Sequence, residues 1–164
     1  MTGSSALLQN TLQTGAAAAT ATTLATAICG ELEEGNAIAP LNAISHIAWG
    51  DEAATHDEAS WKYTATGMAL NGAAVTSWAG IFEMYFGRAV DRQDVRQALV
   101  GGAAVSALAF VTDYYLVPRR VTPGFEKRLS NTSLFGIYSA LALSLALGRM
   151  GQAQLAHAGS AGTP

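Results

Sequence analysis

Cysteine and charged residues are both scarce in this chain, and each scarcity excludes a class of protein. Cys29 is the single cysteine among 164 residues, which excludes a disulfide framework and a cysteine-based metal cluster within one chain. Charged residues make up 13% of the sequence, against roughly 25% in an ordinary soluble domain. The net charge of −3 is not accompanied by a basic tail or stripe. The composition therefore predicts no nucleic-acid partner.

Motifs that carry chemistry are also lacking. The sequence contains neither a G-x-S-x-G nucleophile elbow nor a phosphate-binding G-K-[ST] loop. The one grouping that resembles metal ligands comprises His46, Asp51, Glu52 and His56, and its spacing matches no recognised metal motif. We therefore predict no catalytic residue, no metal and no cofactor. Metal binding by this grouping and a haem on His46 are the less favoured alternatives.

Apolar residues, by contrast, are abundant and lie in four blocks separated by the charged residues. The blocks are residues 5–29, 63–86, 95–117 and 129–148. A helix of about 20 residues matches the thickness of a bilayer core, and long blocks without alternation do not suit a membrane β-barrel. The first block is the weakest span, because Gln9, Asn10 and Gln13 are costly in lipid.

These blocks predict the fold class, an all-α integral membrane bundle of four transmembrane helices plus a short interfacial or re-entrant helix. Residues 1–149 form the predicted four-helix transmembrane domain. Residues 150–164 are rich in Gly, Ala, Gln and Ser and end in Pro, so we predict a flexible C-terminal tail there.

Small residues recur at about four-residue spacing in three of the blocks, where they mark candidate helix-packing faces. They are Gly72, Thr76 and Gly80 in the second block, Gly102 and Ser106 in the third, and Gly136, Ala140, Ser144 and Gly148 in the fourth. We predict that these faces pack within one four-helix bundle. The alternative is that one of them, with the fourth block as the leading choice, forms an oligomer interface.

Two carboxylates interrupt the apolar pattern near the ends of the second and third blocks. Glu83 and Asp113 belong to adjacent antiparallel helices, each near its C-terminal end, so we expect them at opposite faces of the membrane. A direct acid–base pair between them is therefore not expected. The favoured role of each is structural anchoring or an interfacial ion pair, with Arg88 as the candidate partner of Glu83. The alternative is a role in ion or proton movement.

The connection between the first and second blocks, residues 31–62, holds most of the acidic residues. Its middle, residues 38–49, is apolar but too short to span a membrane, and it predicts the interfacial or re-entrant helix. On such a helix Asn42, His46 and Trp49 fall on one face, and they are candidate functional residues. Trp49 also suits the headgroup level of a membrane.

The connection between the third and fourth blocks is basic. With four spans it lies on the same side of the membrane as residues 31–62, so we expect salt bridges between the two connections, for example from Arg119 or Arg120 to the acidic residues at 31–34. The alternative is that the basic cluster holds an anionic lipid headgroup. That cluster comprises Arg119, Arg120, Lys127 and Arg128. Basic residues also lie on the other side, so the sequence leaves the orientation open.

Two segments carry a resemblance to a family. The runs LNAISHIAWGDEA, residues 41–53, and DYYLVPRRVTPGFEKRLS, residues 113–130, resemble parts of an uncharacterised family of small multi-spanning bacterial inner-membrane proteins. The resemblance implies a location in the bacterial inner membrane. It implies no activity, cofactor or catalytic residue.

The leading functional hypothesis is an accessory, assembly or scaffold subunit that acts through helix packing. Its expected partners are the lipid bilayer and either copies of itself or other membrane subunits. The first alternative is a small oligomeric transporter or channel for an ion or small solute, in which Glu83 or Asp113 would line a path. The second alternative is a membrane enzyme or redox subunit that uses His46.

Overall fold

Helices make up nearly all of the regular structure. The computed structural model describes the backbone of residues 3–160 and the side chains of residues 4–151. The helices in this range are α1 (Gly3–Glu34), α2 (Ala39–Ile44), α3 (His46–Trp49), α4 (Thr66–Asp91), α5 (Val95–Val111) and α6 (Asn131–Ser160). No strand occurs among the described residues, so the predicted all-α class is confirmed.

Short segments of 3-10 or π helix complete the connections. They are Asp51–Thr55, Trp61–Ala65, Thr112–Leu116, Arg119–Val121 and Phe125–Lys127. The turn at Trp61–Ala65 leads directly into α4, and the turn at Thr112–Leu116 continues α5. Both helices therefore reach further towards the long connections than their α-helical parts alone.

The four long helices of the described chain form a bundle in which each helix is antiparallel to its neighbours. α1 and α5 lie at opposite corners, and each packs against both α4 and α6. Thr14 near the start of α1 contacts Glu83 near the end of α4, whereas Asn71 near the start of α4 contacts Thr22 further along α1. The two long connections therefore meet at one end, the loop end, and the tight α4–α5 turn lies at the other, the closed end.

The tight turn between α4 and α5 at the closed end is formed by Gln93 and Asp94. Gln93 adopts a left-handed backbone with φ of 57°, and Asp94 then caps α5 by accepting a hydrogen bond from the Gln97 N–H at 3.0 Å. Such a cap satisfies one of the free N–H groups at a helix start. The bundle interior near this end is filled by side chains such as Phe82 and Leu145, which are fully buried.

The small-residue face of α5 allows a close approach to α6. A Cβ at Gly102 would lie 2.2 Å from the carbonyl oxygen of Ala142, so a larger residue would push the two helices apart. One turn further on, the Ser106 hydroxyl donates to the Tyr138 carbonyl at 2.6 Å. The face formed by Gly102 and Ser106 therefore lies inside the bundle, against α6.

The remaining small residues divide between packed and open positions. The half-buried members are Gly72, Thr76, Gly80, Ala140, Ser144 and Gly148. Thr76 and Gly148 both face α1, where a Cβ at Gly148 would make a close contact with Ala17 at 3.3 Å. A Cβ at Gly136 would meet nothing within 4 Å. The α6 stripe therefore faces α1 near the closed end and open space near the loop end.

Residues 36–65 fold over the loop end as a cap lobe. The prediction of one short helix there is wrong, because the chain breaks into α2 and α3 at Ser45, whose hydroxyl donates back to the Asn42 carbonyl at 2.7 Å. A local bond of this kind competes with helix continuation. Asn42 and His46 are fully buried, whereas Trp49 is 47% exposed. The three predicted residues therefore do not share one face.

Two helices among the described residues are long and apolar enough to cross a bilayer, Val95–Leu116 and Asn131–Gly151, each with a mean hydropathy of 1.4. α1 and α4 are less apolar because they carry small polar residues, and several of these face each other. Thr22 and Thr23 of α1 both accept hydrogen bonds from the Asn71 amide of α4, each at 3.1 Å. Polar residues inside the bundle thus lower the hydropathy of two helices without exposing those residues to the surroundings.

The last helix runs past the predicted domain boundary. α6 continues to Ser160, although the sequence predicts a flexible tail from residue 150. Met150 is buried in the core, and the frequent Ala and Gln residues beyond it favour helix. The backbone of residues 150–160 is therefore helical. Residues 161–164 of the predicted tail lie outside the described residues.

Candidate functional site

Asn42, a predicted functional residue, ties the cap lobe together. Its amide nitrogen donates to the carbonyls of His56 and Glu58 at 2.7 and 3.0 Å. Its amide oxygen accepts from the Thr64 hydroxyl at 2.6 Å. A buried amide with both N–H bonds satisfied is a structural link. Asn42 therefore has no free N–H to offer a ligand.

His46 is also fully buried, and its neighbours hold it in place. Nδ1 lies 3.0 Å from the Ala43 carbonyl, which can only accept, so Nδ1 carries the hydrogen and donates. Gly124 packs against this pair with φ of 92°, where a Cβ would lie 2.5 Å from the Ala43 oxygen. The Arg120 guanidinium donates to the His46 carbonyl. Through these contacts the basic connection between α5 and α6 packs against the cap lobe at His46.

The predicted grouping of metal ligands is not assembled. Asp51 pairs with Lys127 at 2.9 Å, and Glu52 accepts from the Tyr63 hydroxyl at 2.9 Å. The hydrogen bond from Lys127 holds the pKa of Asp51 below its usual value. The Tyr63 hydroxyl does the same for the pKa of Glu52. Among the described residues, no group of three or more His, Cys, Asp or Glu side chains is placed to hold a metal.

Trp49 and Lys62 form an exposed pair at the rim of the cap lobe. The Lys62 ammonium lies 5.2 Å from the centre of the Trp49 ring and 4.6 Å from that of Tyr63, within cation–π range. A hydrogen bond with the Tyr63 hydroxyl raises the pKa of Lys62. Trp49 also donates from Nε1 to the Thr66 hydroxyl at 3.3 Å. An aromatic and a basic side chain in this arrangement suit a membrane headgroup region.

The acidic and basic connections meet at the loop end through Arg128. Its guanidinium contacts Glu34 at 2.8 Å and Asp57 at 2.7 Å. It also donates to the Ala54 carbonyl at 3.0 Å. Arg128 lies just before α6, next to the end of α1, so it reaches both α1 and the cap lobe. This basic residue therefore clamps three parts of the chain together.

The predicted salt bridges between the acidic and basic connections are present, but the example of Arg119 or Arg120 pairing with residues 31–34 is wrong. Arg120 is instead engaged at the carbonyl of a cap-lobe residue, and Arg119 is exposed. The salt bridges of the described basic connection come from Lys127 and Arg128. Since these two are paired within the protein and Arg120 donates to a carbonyl, the exposed Arg119 is the member of the cluster best placed for the predicted contact with an anionic lipid.

Glu33 caps the start of α6 from the end of α1. Its carboxylate accepts from the Ser130 N–H at 2.8 Å and from the hydroxyls of Ser130 and Ser133. These bonds, from Ser130 first and then Ser133, hold the pKa of Glu33 below its usual value. A negative charge is favourable at a helix N-terminus, where backbone N–H groups are free. The serine pair at the start of the fourth block was the sequence signal for this cap.

At the closed end, Arg149 of α6 neutralises Glu83. Arg149 Nη1 lies 2.9 Å from Glu83 Oε2, and the two side chains are 9% and 1% exposed. The Thr14 hydroxyl donates to Glu83 Oε1 at 2.6 Å. Arg149 also pairs with Asp91 at 2.5 Å. Thr14, Glu83, Asp91 and Arg149 form an ion-pair cluster that joins α1, α4 and α6.

The predicted partner of Glu83, Arg88, is therefore not the observed one. Residues five positions apart lie about 140° apart around a helix of 3.6 residues per turn, so Arg88 points away from Glu83 and is exposed. Gly87 makes room for the observed pair, because a Cβ there would lie 2.7 Å from Glu83 Oε2. Its carbonyl accepts from Arg149 at 3.2 Å.

At the loop end, Asp113 has a different environment. The Tyr138 hydroxyl donates to Asp113 Oδ2 at 2.5 Å. Asp113 forms no salt bridge with the described residues, and the other charged group that acts on it is the carboxylate of Glu126. Glu126 in turn accepts from the Thr122 hydroxyl and the Gly124 N–H. Among the described residues, neither Asp113 nor Glu126 forms a salt bridge, and the charge of Glu126 acts on Asp113.

Asp113 lies in the wall of a cavity of about 90 Å³. The cavity is bounded by α1, α4, α6 and the segment that follows α5, and most of its wall is apolar. The polar lining residues are Thr22, Asn71, Asp113 and Tyr138. Ala74 and Val121 also line the cavity and are exposed, so the opening lies sideways, between α4 and the basic connection. A liquid water molecule occupies roughly 30 Å³, so the space suits the head of a small organic molecule.

Of the predicted polar residues inside the bundle, Asp113 is the one that keeps an unbonded oxygen beside a cavity. Glu83 and Asn42 are held by bonds within the protein. His46 is bonded at Nδ1, whereas its buried Nε2 has no hydrogen-bond partner among the described residues.

Comparisons of the chain with protein-family models, with curated proteins and with solved structures gave no match.

Proposed function

We propose that this chain is an integral membrane protein whose four long helices each cross the bilayer. Residues 63–82 and 129–148 carry no charged side chain. Of the two apolar windows, 33% of Val95–Leu116 and 44% of Asn131–Gly151 is buried. The core helix of a soluble protein would be mostly buried, so these fractions favour contact with lipid. The resemblance of the loop segments supports a location in the bacterial inner membrane under this proposal.

α1 fits the same proposal despite its lower hydropathy. Its polar residues Thr14, Thr22 and Thr26 are buried against other helices. Its outward residues Leu24 and Ile28 are 56% and 58% exposed, which suits lipid rather than water. After extraction of membranes with alkaline carbonate, the full-length protein should stay in the membrane pellet. Recovery in the soluble fraction would contradict the proposal.

The function we infer is reversible binding of a small, largely apolar solute at the loop end, as the binding step of a small transporter. The observation that carries it is the cavity beside Asp113, in which apolar walls surround a few polar groups. Ligand sites commonly combine a concave apolar wall with a small number of placed polar groups. An intramembrane carboxylate such as Asp113, which forms no salt bridge with the described residues, is also a functional-site hypothesis by default.

An open channel is less favoured than a binding site. Towards the closed end the interior is occupied by Phe82 and Leu145, which are fully buried. The ion-pair cluster then joins three helices across the same end. A solute that enters the cavity therefore meets a packed interior, and passage would need these helices to separate.

A pair of substitutions on α4 tests the binding function. Ala74 lines the cavity at its rim, and its neighbour Ala73 is equally exposed but points about 100° away around the helix. We expect 1-butanol or butylamine to bind saturably to the full-length protein in detergent, measured by titration calorimetry. Ala74→Phe should abolish that binding, and Ala73→Phe should not. Absence of binding to the wild-type protein, or equal binding by both variants, would contradict the proposal.

The accessory role remains a second candidate, and a groove between α5 and α6 favours it. The groove is lined by small residues such as Ala103, Ala107 and Ser139, with Phe110 and Phe135 at its sides. Small residues let another transmembrane helix approach closely. Light scattering of the purified protein in detergent should then show an oligomer or a co-purified subunit, and Ala107→Phe should disrupt it. A monomer unaffected by Ala107→Phe would remove this candidate.

A further inference from the structure

The hydrogen-bond donors in the cavity wall are largely used within the protein. The Thr22 hydroxyl donates to the Ala19 carbonyl at 3.2 Å, so towards Asn71 it can only accept. The two N–H bonds of the Asn71 amide go to the hydroxyls of Thr22 and Thr23. The Tyr138 hydroxyl donates to Asp113. Thr22, Asn71 and Tyr138 therefore use their own donors, and the Asn71 Oδ1 and the Asp113 Oδ1 remain as acceptors, which suit a bound molecule that supplies hydrogen-bond donors.

The electrostatic setting selects a donor that carries positive charge. Asp113 lacks a basic partner among the described residues, and Glu126 adds a second carboxylate beside it. Burial and a neighbouring like charge both make it unfavourable to keep two carboxylates ionised. Binding of a cation relieves both effects. In the basic connection, Lys127 pairs with Asp51, Arg128 pairs with Glu34, and the Arg120 guanidinium donates to the His46 carbonyl.

The walls of the cavity suit an organic cation better than a bare metal ion. Hard metal ions such as Ca²⁺ take about six to eight oxygen ligands, whereas this wall supplies one carboxylate and is otherwise mostly apolar. Trp78 and Tyr138 both line the cavity, and aromatic faces attract ammonium groups. Val75, Ile137 and Leu141 supply apolar surface for the carbon chain. The sideways opening between α4 and the basic connection lets that chain extend towards lipid.

We propose that the loop-end cavity binds a primary or secondary organic ammonium ion with a short apolar chain, and that Asp113 is its counter-ion. The proposal rests on the solute-binding function proposed above and names the class of solute. The ammonium group donates to Asp113 Oδ1 and to the Asn71 amide oxygen. Tyr138 acts as a positioning residue, because its hydroxyl fixes the other oxygen of Asp113.

Butylamine and 1-butanol provide the test, because they share a carbon chain and differ in charge. Titration calorimetry on the full-length protein in detergent should show that butylamine binds more tightly than 1-butanol. Asp113→Asn should weaken butylamine binding about tenfold or more, as expected for loss of a charged hydrogen bond, and should change 1-butanol binding by less than about twofold. The amide oxygen that this substitution introduces can still accept from the Tyr138 hydroxyl, so the fold should persist, and the thermal unfolding of the variant checks this.

Glu126→Gln is the matched second variant. Glu126 acts on the site through its charge, so its loss should weaken butylamine binding by about twofold, and added salt should reduce the difference. Equal affinity of the wild-type protein for the two probes would overturn the ammonium proposal while leaving solute binding intact. An unchanged butylamine affinity in Asp113→Asn would do the same. Failure of both probes to bind would overturn the ammonium proposal together with the proposed function.

Discussion

The closed end and the loop end of the bundle each place a carboxylate among the helices, but the two carboxylates differ in their bonding partners. Glu83 at the closed end receives a hydroxyl from Thr14 and a guanidinium from Arg149, and it is 1% exposed. Asp113 at the loop end receives a single hydroxyl and lines a cavity. A carboxylate with a complete set of partners holds helices together, whereas one with an incomplete set can bind something else.

The two ends also differ in what holds them together. The closed end relies on buried contacts, including the ion-pair cluster and the close approach at Gly102. The loop end relies on partly exposed charges such as Arg128 and Glu33. Buried pairs are strongly destabilising when one partner is removed, whereas exposed pairs contribute little each. Substitutions at the two ends should therefore differ in size.

Arg149→Leu should have the largest effect on stability. It removes the partner of a buried carboxylate and leaves Glu83 uncompensated, which costs about 3–5 kcal/mol in comparable buried pairs. The free energy of unfolding, measured by denaturant titration in mixed micelles, should fall accordingly. Arg88→Leu is the control, since Arg88 is exposed on the same end. A similar loss in both variants would mean that the pair with Glu83 is not what stabilises the closed end.

Gly102→Ala should have the next largest effect. The added Cβ would collide with the Ala142 carbonyl oxygen, and overpacking of this kind typically costs about 1–3 kcal/mol. Gly136→Ala on α6 is the matched control, because a Cβ there meets nothing within 4 Å. Alanine favours helix over glycine, so Gly136→Ala should leave stability unchanged or raise it by up to about 1 kcal/mol. Equal destabilisation by the two variants would show that the α5–α6 contact is looser than described.

Arg128→Ala should have a smaller effect that depends on salt. Arg128 bridges Glu34 and Asp57, whose side chains are 26% and 59% exposed. After allowance for solvent screening, we expect a loss of about 1 kcal/mol at low salt that shrinks as salt is added. Arg119→Ala, an exposed change in the same connection, should show neither the loss nor the salt dependence. A loss that does not respond to salt would point to packing rather than charge.

Acidification should loosen the start of α6 by a still smaller amount. Ser130 and Ser133 hold the folded-state pKa of Glu33 below its usual value. The stabilisation is therefore complete above the unfolded-state pKa, and it is lost as the pH falls through the lower, folded-state pKa. The protection of the first-turn amides of α6 against hydrogen exchange, corrected for the pH dependence of intrinsic exchange, should fall over that range. Ser133→Ala should shift this transition to higher pH, and an unshifted transition would remove Glu33 as its cause.

The helices could be predicted from the sequence because long apolar blocks without strand-like alternation, separated by charged connections, favour helices. The third block and α5 both begin at Val95, where Asp94 supplies a cap. α1 runs on to Glu34, beyond the predicted end. Acidic residues are unfavourable at a helix C-terminus, but here Glu33 accepts from Ser130 and Glu34 pairs with Arg128. The meeting of the two long connections at one end also follows from four antiparallel helices.

The partners of the buried polar residues could not be predicted, because they depend on rotation and loop path. Arg149 is 66 positions from Glu83, and no local spacing connects the two. Asn42 donates to carbonyls of the segment that follows α3. The backbone path of that segment cannot be derived from the pattern of its side chains. Asp113 was a candidate because it lies in an apolar block. Its hydrogen bond with Tyr138 could not be predicted, because it depends on how α5 packs against α6.

Labelling with an apolar carbodiimide, which modifies accessible protonated carboxyl groups in membranes, compares the two carboxylates most directly. The full-length protein in its membrane is treated, and adducts on Asp113 and Glu83 are quantified by mass spectrometry. We expect modification of Asp113 and little or none of Glu83. Butylamine should suppress the total modification of Asp113, counted as the acylurea adduct plus the butylamide that forms when the amine traps the activated carboxyl. Modification of Glu83 to the same extent as Asp113, or protection of neither by butylamine, would contradict the contrast between the two ends.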